Sequence, residues 1–128
     1  MSEIHAVIID DSELGVKVLA NLLEVNHVTY TTIQDSRTVS RVLGELPQVD
    51  VVFLDLEMPY LSGLDLLPTI KQKLGLSVPV IAYTVHTSEI DQMRQIGFDG
   101  FLGKPLKMRD FPQQLQDILG GIPVWAPN

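Results

Sequence analysis

Two acidic clusters, a threonine and a lysine each stand directly after a short apolar run. Ile8-Ile9-Asp10-Asp11-Ser12 and Val52-Phe53-Leu54-Asp55-Leu56-Glu57 both end in carboxylates, Thr84 follows Val80-Ile81-Ala82-Tyr83, and Lys104-Pro105 follows Phe101-Leu102-Gly103. Carboxylates brought together raise one another's pKa unless a cation lies among them. Short oxygen-bearing side chains suit Mg²⁺, which keeps several waters and takes one or two carboxylates together with phosphate oxygens. A carboxylate nucleophile, a metal, a hydroxyl and an ammonium form a phosphoryl-transfer set, since in that chemistry the protein mainly positions groups and stabilises charge. Taken singly, Asp10 and Asp11 read equally well as caps of a following helix. Thr84 alone is a strand end and Lys104 alone a solvated charge. Their joint placement carries the reading.

The elements that must position these groups follow from periodicity. Ile4 to Ile9, Val28 to Ile33, Val51 to Leu54, Val78 to Tyr83 and Gly100 to Leu102 read as strands. The first, third and fourth are apolar at nearly every position, as strands buried on both faces are, whereas the threonines of the second mark it as an edge. Leu14, Val18, Leu19, Leu22 and Leu23 repeat at helical spacing after a Ser12 cap, and Val39, Val42, Leu43 and Leu46 do so after Ser36. Further helical stripes are Leu64, Leu67, Ile70 and Leu74 after Gly63, then Ile90, Met93 and Ile96 after Thr87-Ser88, then Phe111, Leu115, Ile118 and Leu119. The predicted fold is α/β: a (βα)5, doubly wound, parallel five-stranded sheet. Its ligand site lies at the carboxyl ends of the strands, the edge where the acids, the hydroxyl and the lysine arrive.

Composition narrows the function. The chain has 128 residues, enough for one domain of ordinary size. It has no cysteine, so disulfides, thiolate metal sites and cysteine nucleophiles are excluded. Nine Lys and Arg against sixteen Asp and Glu give a formal net charge of −7, which repels a phosphate backbone and argues against direct nucleic-acid binding. No apolar run approaches the ~20 residues of a membrane span, and the start lacks a basic signal-type segment, so a soluble, cytoplasmic protein is expected. His5, His27 and His86 do not share a metal-ligand spacing, and Met58 and Met93 read as loop and core fillers.

The set formed by Asp10-Asp11, Asp55 with Met58-Pro59 and Gly63 behind it, Thr84, and Lys104-Pro105 resembles the response-regulator receiver domain of two-component signalling, similar to single-domain chemotaxis regulators. The resemblance runs from Ile4 to about Leu119. It implies a flavodoxin-like strand order 2-1-3-4-5, a receiver domain over residues 3–121 and a short tail over 122–128. It also implies that Asp55 becomes the aspartyl phosphate, that Asp11, Asp55 and the Glu57 carbonyl ligate Mg²⁺, and that Asp10 holds the metal through water. Thr84 and Lys104 would contact phosphoryl oxygens, the Lys104-Pro105 bond would be cis, and Phe101 stands where the family carries its rotating aromatic. A histidine kinase or phosphotransfer protein would donate, and a downstream protein would listen. Catalysis would be limited to the domain's own phosphorylation and dephosphorylation.

Two departures from the family pattern bear on switching and access: Val85, where a small residue is usual after the hydroxyl, and the bulky Tyr60 beside Leu61. Glu57 and His86, each two residues beyond a site residue, read either as a water gate that tunes phosphate lifetime or as unlinked surface side chains. Asp91, Arg94, Asp99, Lys107 and Arg109 leave two readings for the last two helices, solvated surface or a face for a dimer or partner. The enzyme-class rival is a haloacid-dehalogenase-type phosphatase. That family wants a second Asp two residues after its nucleophile, and Glu57 stands there instead. A dinucleotide module is weaker still, because Ile9 to Gly15 holds acids where a glycine-rich cradle is needed. A receiver-like adaptor that is never phosphorylated is the third alternative.

Overall fold

The computed structural model describes residues 3–85 and 90–127. Strands β1 (His5–Ile9), β2 (Thr29–Ile33), β3 (Val51–Leu54), β4 (Val80–Thr84) and β5 (Gly100–Gly103) alternate with helices α1 (Glu13–Val25), α2 (Val39–Glu45), α3 (Gly63–Leu74), α4 (Ile90–Ile96) and α5 (Phe111–Leu119). All strands run parallel in the order 2-1-3-4-5, and a two-residue strand, β6 (Trp125–Ala126), continues the sheet beyond β5. The sheet thus has one strand more than the periodicity reveals, because two residues are too few to show a period.

Period two along each strand sends side chains to two helical layers. Ala6, Ile8, Phe53, Ile81, Tyr83 and Leu102 pack with α1 and α5, while Val7, Ile9, Leu54, Val80, Ala82 and Phe101 pack with α2, α3 and α4. β2 lies at one edge, as its threonines indicate.

The helix starts are cut by local hydrogen bonds. Ser12 caps α1 by accepting the Gly15 N–H, and Ser62 and Asp65 form a reciprocal capping box on α3. Ser36 does not act as the cap expected of it. Asp35 accepts the Arg37 N–H at the start of the 3-10 turn Ser36–Thr38 that leads into α2. The buried Ser36 instead donates to the Pro59 carbonyl at 2.7 Å and accepts the Leu61 N–H at 3.1 Å, tying that turn to the loop after β3. The stripe read for α1 also shifts, since Leu14 and Val18 are exposed and Val16 and Ala20 are buried in their place. Leu64 and Ile96, on α3 and α4, are exposed as well.

Candidate functional site

Register builds the site. β1 and β3 pair Ile9 with Leu54, so the next residues, Asp10 and Asp55, leave the sheet side by side. The Asp55 N–H donates to the Ile9 carbonyl at 2.9 Å. Asp10 is fully buried and Asp55 nearly so, while Asp11 is exposed. One carboxylate oxygen from each of the three lies within 4.8 Å of the others. Asp10 also performs the local task open to it, accepting the Ser12 N–H at 2.9 Å, so it both shapes the turn and belongs to the acidic cluster.

β4 and β5 deliver the complementary groups. Thr84 pairs with Gly103, and the Lys104 N–H donates to the Thr84 carbonyl at 2.8 Å. The Lys104 ammonium lies 2.9 Å from Asp10 Oδ2 and 3.8 Å from Asp55 Oδ1. The Lys104-Pro105 peptide bond is cis. Two glycines permit this closeness. A Cβ on Gly15 would stand 2.5 Å from Asp10 Oδ2, and one on Gly63 would stand 2.5 Å from the Asp55 carbonyl oxygen, so α1 and α3 approach the acids only without a side chain there.

The electrostatics are unbalanced. Burial pushes the Asp55 carboxyl up to about 7; Lys104 pulls it down, and the neighbouring Asp10 pushes it up further. Among the described residues a single ammonium thus faces the cluster and does not neutralise it. The three clustered carboxylates form a hard-oxygen donor set that fits a small divalent cation.

Several residues singled out by type fall elsewhere. Phe101 is wholly buried on the α2, α3 and α4 side, and Val85 and Glu57 are exposed at the mouth. The Glu57 N–H points to Asp55 Oδ1 at 3.4 Å. Tyr60 adopts a left-handed backbone, φ 72°, and stacks its exposed ring under the Arg37 guanidinium at 3.8 Å. His86 and the gate proposed for it lie outside the described residues, as do Thr87 and Ser88. Tyr83 escaped the sequence reading. Its ring lies 4.2 Å from the Lys104 ammonium and its hydroxyl donates to the Gly15 carbonyl at 3.0 Å. The available signal was a phenol in an otherwise aliphatic buried strand, since a buried tyrosine hydroxyl needs a partner.

Comparison with known proteins agrees with this geometry. The family model for the response regulator receiver domain matches residues 6–116. The chain is 36% identical over 110 residues to stress response regulator protein 1 of Meyerozyma guilliermondii, an alignment covering 82% of this chain and 50% of that protein. It therefore spans about half the length of that relative. It is 28% identical over 118 residues to the polar-differentiation response regulator DivK of Brucella ovis, covering 89% of this chain and 94% of DivK. Among solved structures, a response regulator receiver domain protein from Clostridium thermocellum superposes with a TM-score of 0.79 at 27% identity, covering 91% of this chain and 94% of that one. The receiver domain of a Pseudomonas aeruginosa sensor histidine kinase, solved with a magnesium ion coordinated in its active site cleft, shares the fold at a TM-score of 0.81 and 23% identity, covering 93% and 99%. The chain belongs to the response regulator receiver domain family, a family of phosphoacceptor signalling modules and not of turnover enzymes.

Proposed function

We propose that Asp55 is the residue that accepts the phosphoryl group, from a histidine kinase or phosphotransfer protein, and that Mg²⁺ assists. The observation that carries this is a nearly buried carboxylate flanked by Asp10, Asp11 and Lys104 at the carboxyl edge of the sheet. Asp11, Asp55 and the Glu57 carbonyl would hold the metal, with Asp10 contributing through water, the ligand set that the family resemblance implies; the Pseudomonas receiver carries a magnesium ion in its active site cleft. When bound, the metal supplies positive charge to the phosphoryl oxygens and to the crowded acids.

An Asp55 carboxylate oxygen attacks phosphorus as the bond to the donor's leaving atom breaks, and the leaving group departs with its electron pair. Lys104 compensates charge on an equatorial oxygen and the Thr84 hydroxyl donates to another. Thr84 and Phe101, with Pro105 shaping the turn after β5, form the switch: a hydroxyl drawn toward phosphate vacates space for the ring and shifts a population between two packings. Val85 restrains that motion, and Glu57 and His86 tune phosphate lifetime. The phosphoacceptor domain covers residues 3–121 with 122–128 as a tail, acts in the cytoplasm, and reaches its protein target or a second copy through the last two helices. No helix among the described residues is long and apolar enough to cross a membrane.

The test is intact mass after incubation with acetyl phosphate. One added phosphoryl group is expected with Mg²⁺, and none with chelator or in Asp55→Asn. A base-labile label of the same stoichiometry on Asp55→Asn would overturn the assignment.

A further inference from the structure

Tyr83 is the bulkiest wholly buried side chain of the site, yet the phosphoryl chemistry above does not use it. It makes two contacts that a core filler would not require. The ring face meets the Lys104 ammonium at 4.2 Å, and the hydroxyl, 3.0 Å from the Gly15 carbonyl, fastens β4 to the first turn of α1. That turn is itself part of the site's wall, since a Cβ on Gly15 would lie 2.5 Å from Asp10 Oδ2 and 3.5 Å from the Lys104 nitrogen.

We propose that Tyr83 is the positioning residue for Lys104: its ring is the platform on which the ammonium rests beside Asp10 and Asp55, and its hydroxyl anchors that platform to α1. The inference rests on the reading of Asp55 as phosphoacceptor. A lysine ammonium is a compact point charge on a flexible four-carbon stem, with no built-in direction. Asp10 at 2.9 Å and Asp55 at 3.8 Å set its distance from the acids but leave the stem free to turn about them. An aromatic face adds a third, broad attraction that tolerates lateral movement. The ammonium can therefore slide from Asp10 toward phosphoryl oxygens at Asp55 without leaving the ring. Burial, and then the charges of Asp10 and Asp55, push the phenol above its ordinary value, so it stays a donor to Gly15.

The experiment combines NMR of the Lys104 side chain with phosphorylation kinetics in the full chain, for wild type, Tyr83→Phe and Tyr83→Leu. Ring current should shift the Lys104 ε-methylene protons upfield in wild type and Tyr83→Phe, and the shift should vanish in Tyr83→Leu. The limiting rate of phosphorylation by acetyl phosphate should fall about threefold to thirtyfold in Tyr83→Leu, the span from an exposed to a desolvated cation–π contact. KM for the donor and Kd for Mg²⁺ should stay unchanged, and Tyr83→Phe, which keeps the ring but loses the anchor to Gly15, should fall between wild type and Tyr83→Leu in both the rate and the Lys104 shift. An unshifted Lys104 resonance in wild type, or a leucine variant that phosphorylates at the wild-type rate, overturns the platform. Should the leucine chain fail to fold, the wild-type resonance decides alone. If wild type takes no phosphoryl group, it is the phosphoacceptor reading that fails, and the resonance still judges the contact.

Discussion

Asp50 and Asp99 precede β3 and β5 at the amino end of the sheet, and Asp10 and Asp55 follow β1 and β3 at the carboxyl end. The amino-end pair is committed to the architecture. Asp50 Oδ2 accepts the His5 N–H at 2.8 Å and a Gln48 side-chain N–H at 2.6 Å, while Asp99 Oδ2 accepts the Val80 N–H at 2.9 Å and pairs with the Lys71 ammonium. Each stitches the start of one strand to its neighbour, satisfying backbone donors that a parallel sheet leaves open at its ends. The carboxyl-end pair faces its own kind as well as local donors, with Asp11 as a third acid and, among the described residues, one lysine to offset all three. The difference teaches where a carboxylate stabilises this fold and where it accumulates charge: the amino-end acids are half-buried and matched by donors, whereas the carboxyl-end acids are buried together with more carboxylate than ammonium around them.

Substitutions should separate the two ends. Asp55→Asn is expected to abolish phosphoryl incorporation, measured by intact mass, while leaving the fold intact by circular dichroism. Asp99→Ala should do the converse, lowering unfolding free energy by about 1–3 kcal/mol in urea melts, the cost of a buried amide and a lysine left without their acceptor, with phosphorylation retained. If Asp99→Ala instead abolished phosphorylation at unchanged stability, the contrast would collapse.

A pH series in chelator sharpens the comparison. Asp55 titrates at about 7 in the folded chain, above the ~3.9 of an unfolded aspartate. Between those values the unfolded chain has released a proton that the folded one retains, so stability should fall as pH rises from about 4 through 7. The loss should reach about 1–2 kcal/mol after screening at the cleft mouth. Asp55→Asn should flatten that slope and make the metal-free protein more stable than wild type at pH 8. A rising slope that Asp55→Asn leaves alone would contradict it. The smallest effect is expected at Asp50→Ala, about 1 kcal/mol, because its hydrogen bonds lie partly open to solvent.

Much of this was legible from residue types. The apolar runs located five strands, the threonines of β2 placed it at an edge, and Asp10, Asp11, Asp55 and Lys104 converged as their positions at strand ends required. What stayed hidden depended on geometry between segments distant in sequence. Ser36 has the type of a helix cap, but the carbonyl of Pro59, 23 residues on, takes its hydroxyl. Leu14 and Val18 fit a helical stripe, yet α1 seats Gly15 against Asp10 and turns Val16 and Ala20 to the core in their place. Tyr83 acquires its meaning only from a lysine just past the end of the next strand and a helix carbonyl 68 residues away.

The border beyond β5 is closed by a very short strand. The Phe101 N–H donates to the Val124 carbonyl at 2.7 Å, Trp125 pairs alongside Phe101, and Arg94 of α4 lays its guanidinium 4.6 Å from the indole. Removing residues 122–127 would uncover a row of unsatisfied amides on an apolar strand, which is a template for lateral pairing with other copies. The segment from Val124 to Ala126 therefore acts as an edge guard: it occupies the hydrogen-bonding side of β5 and leaves the sheet to end on a strand of only two residues.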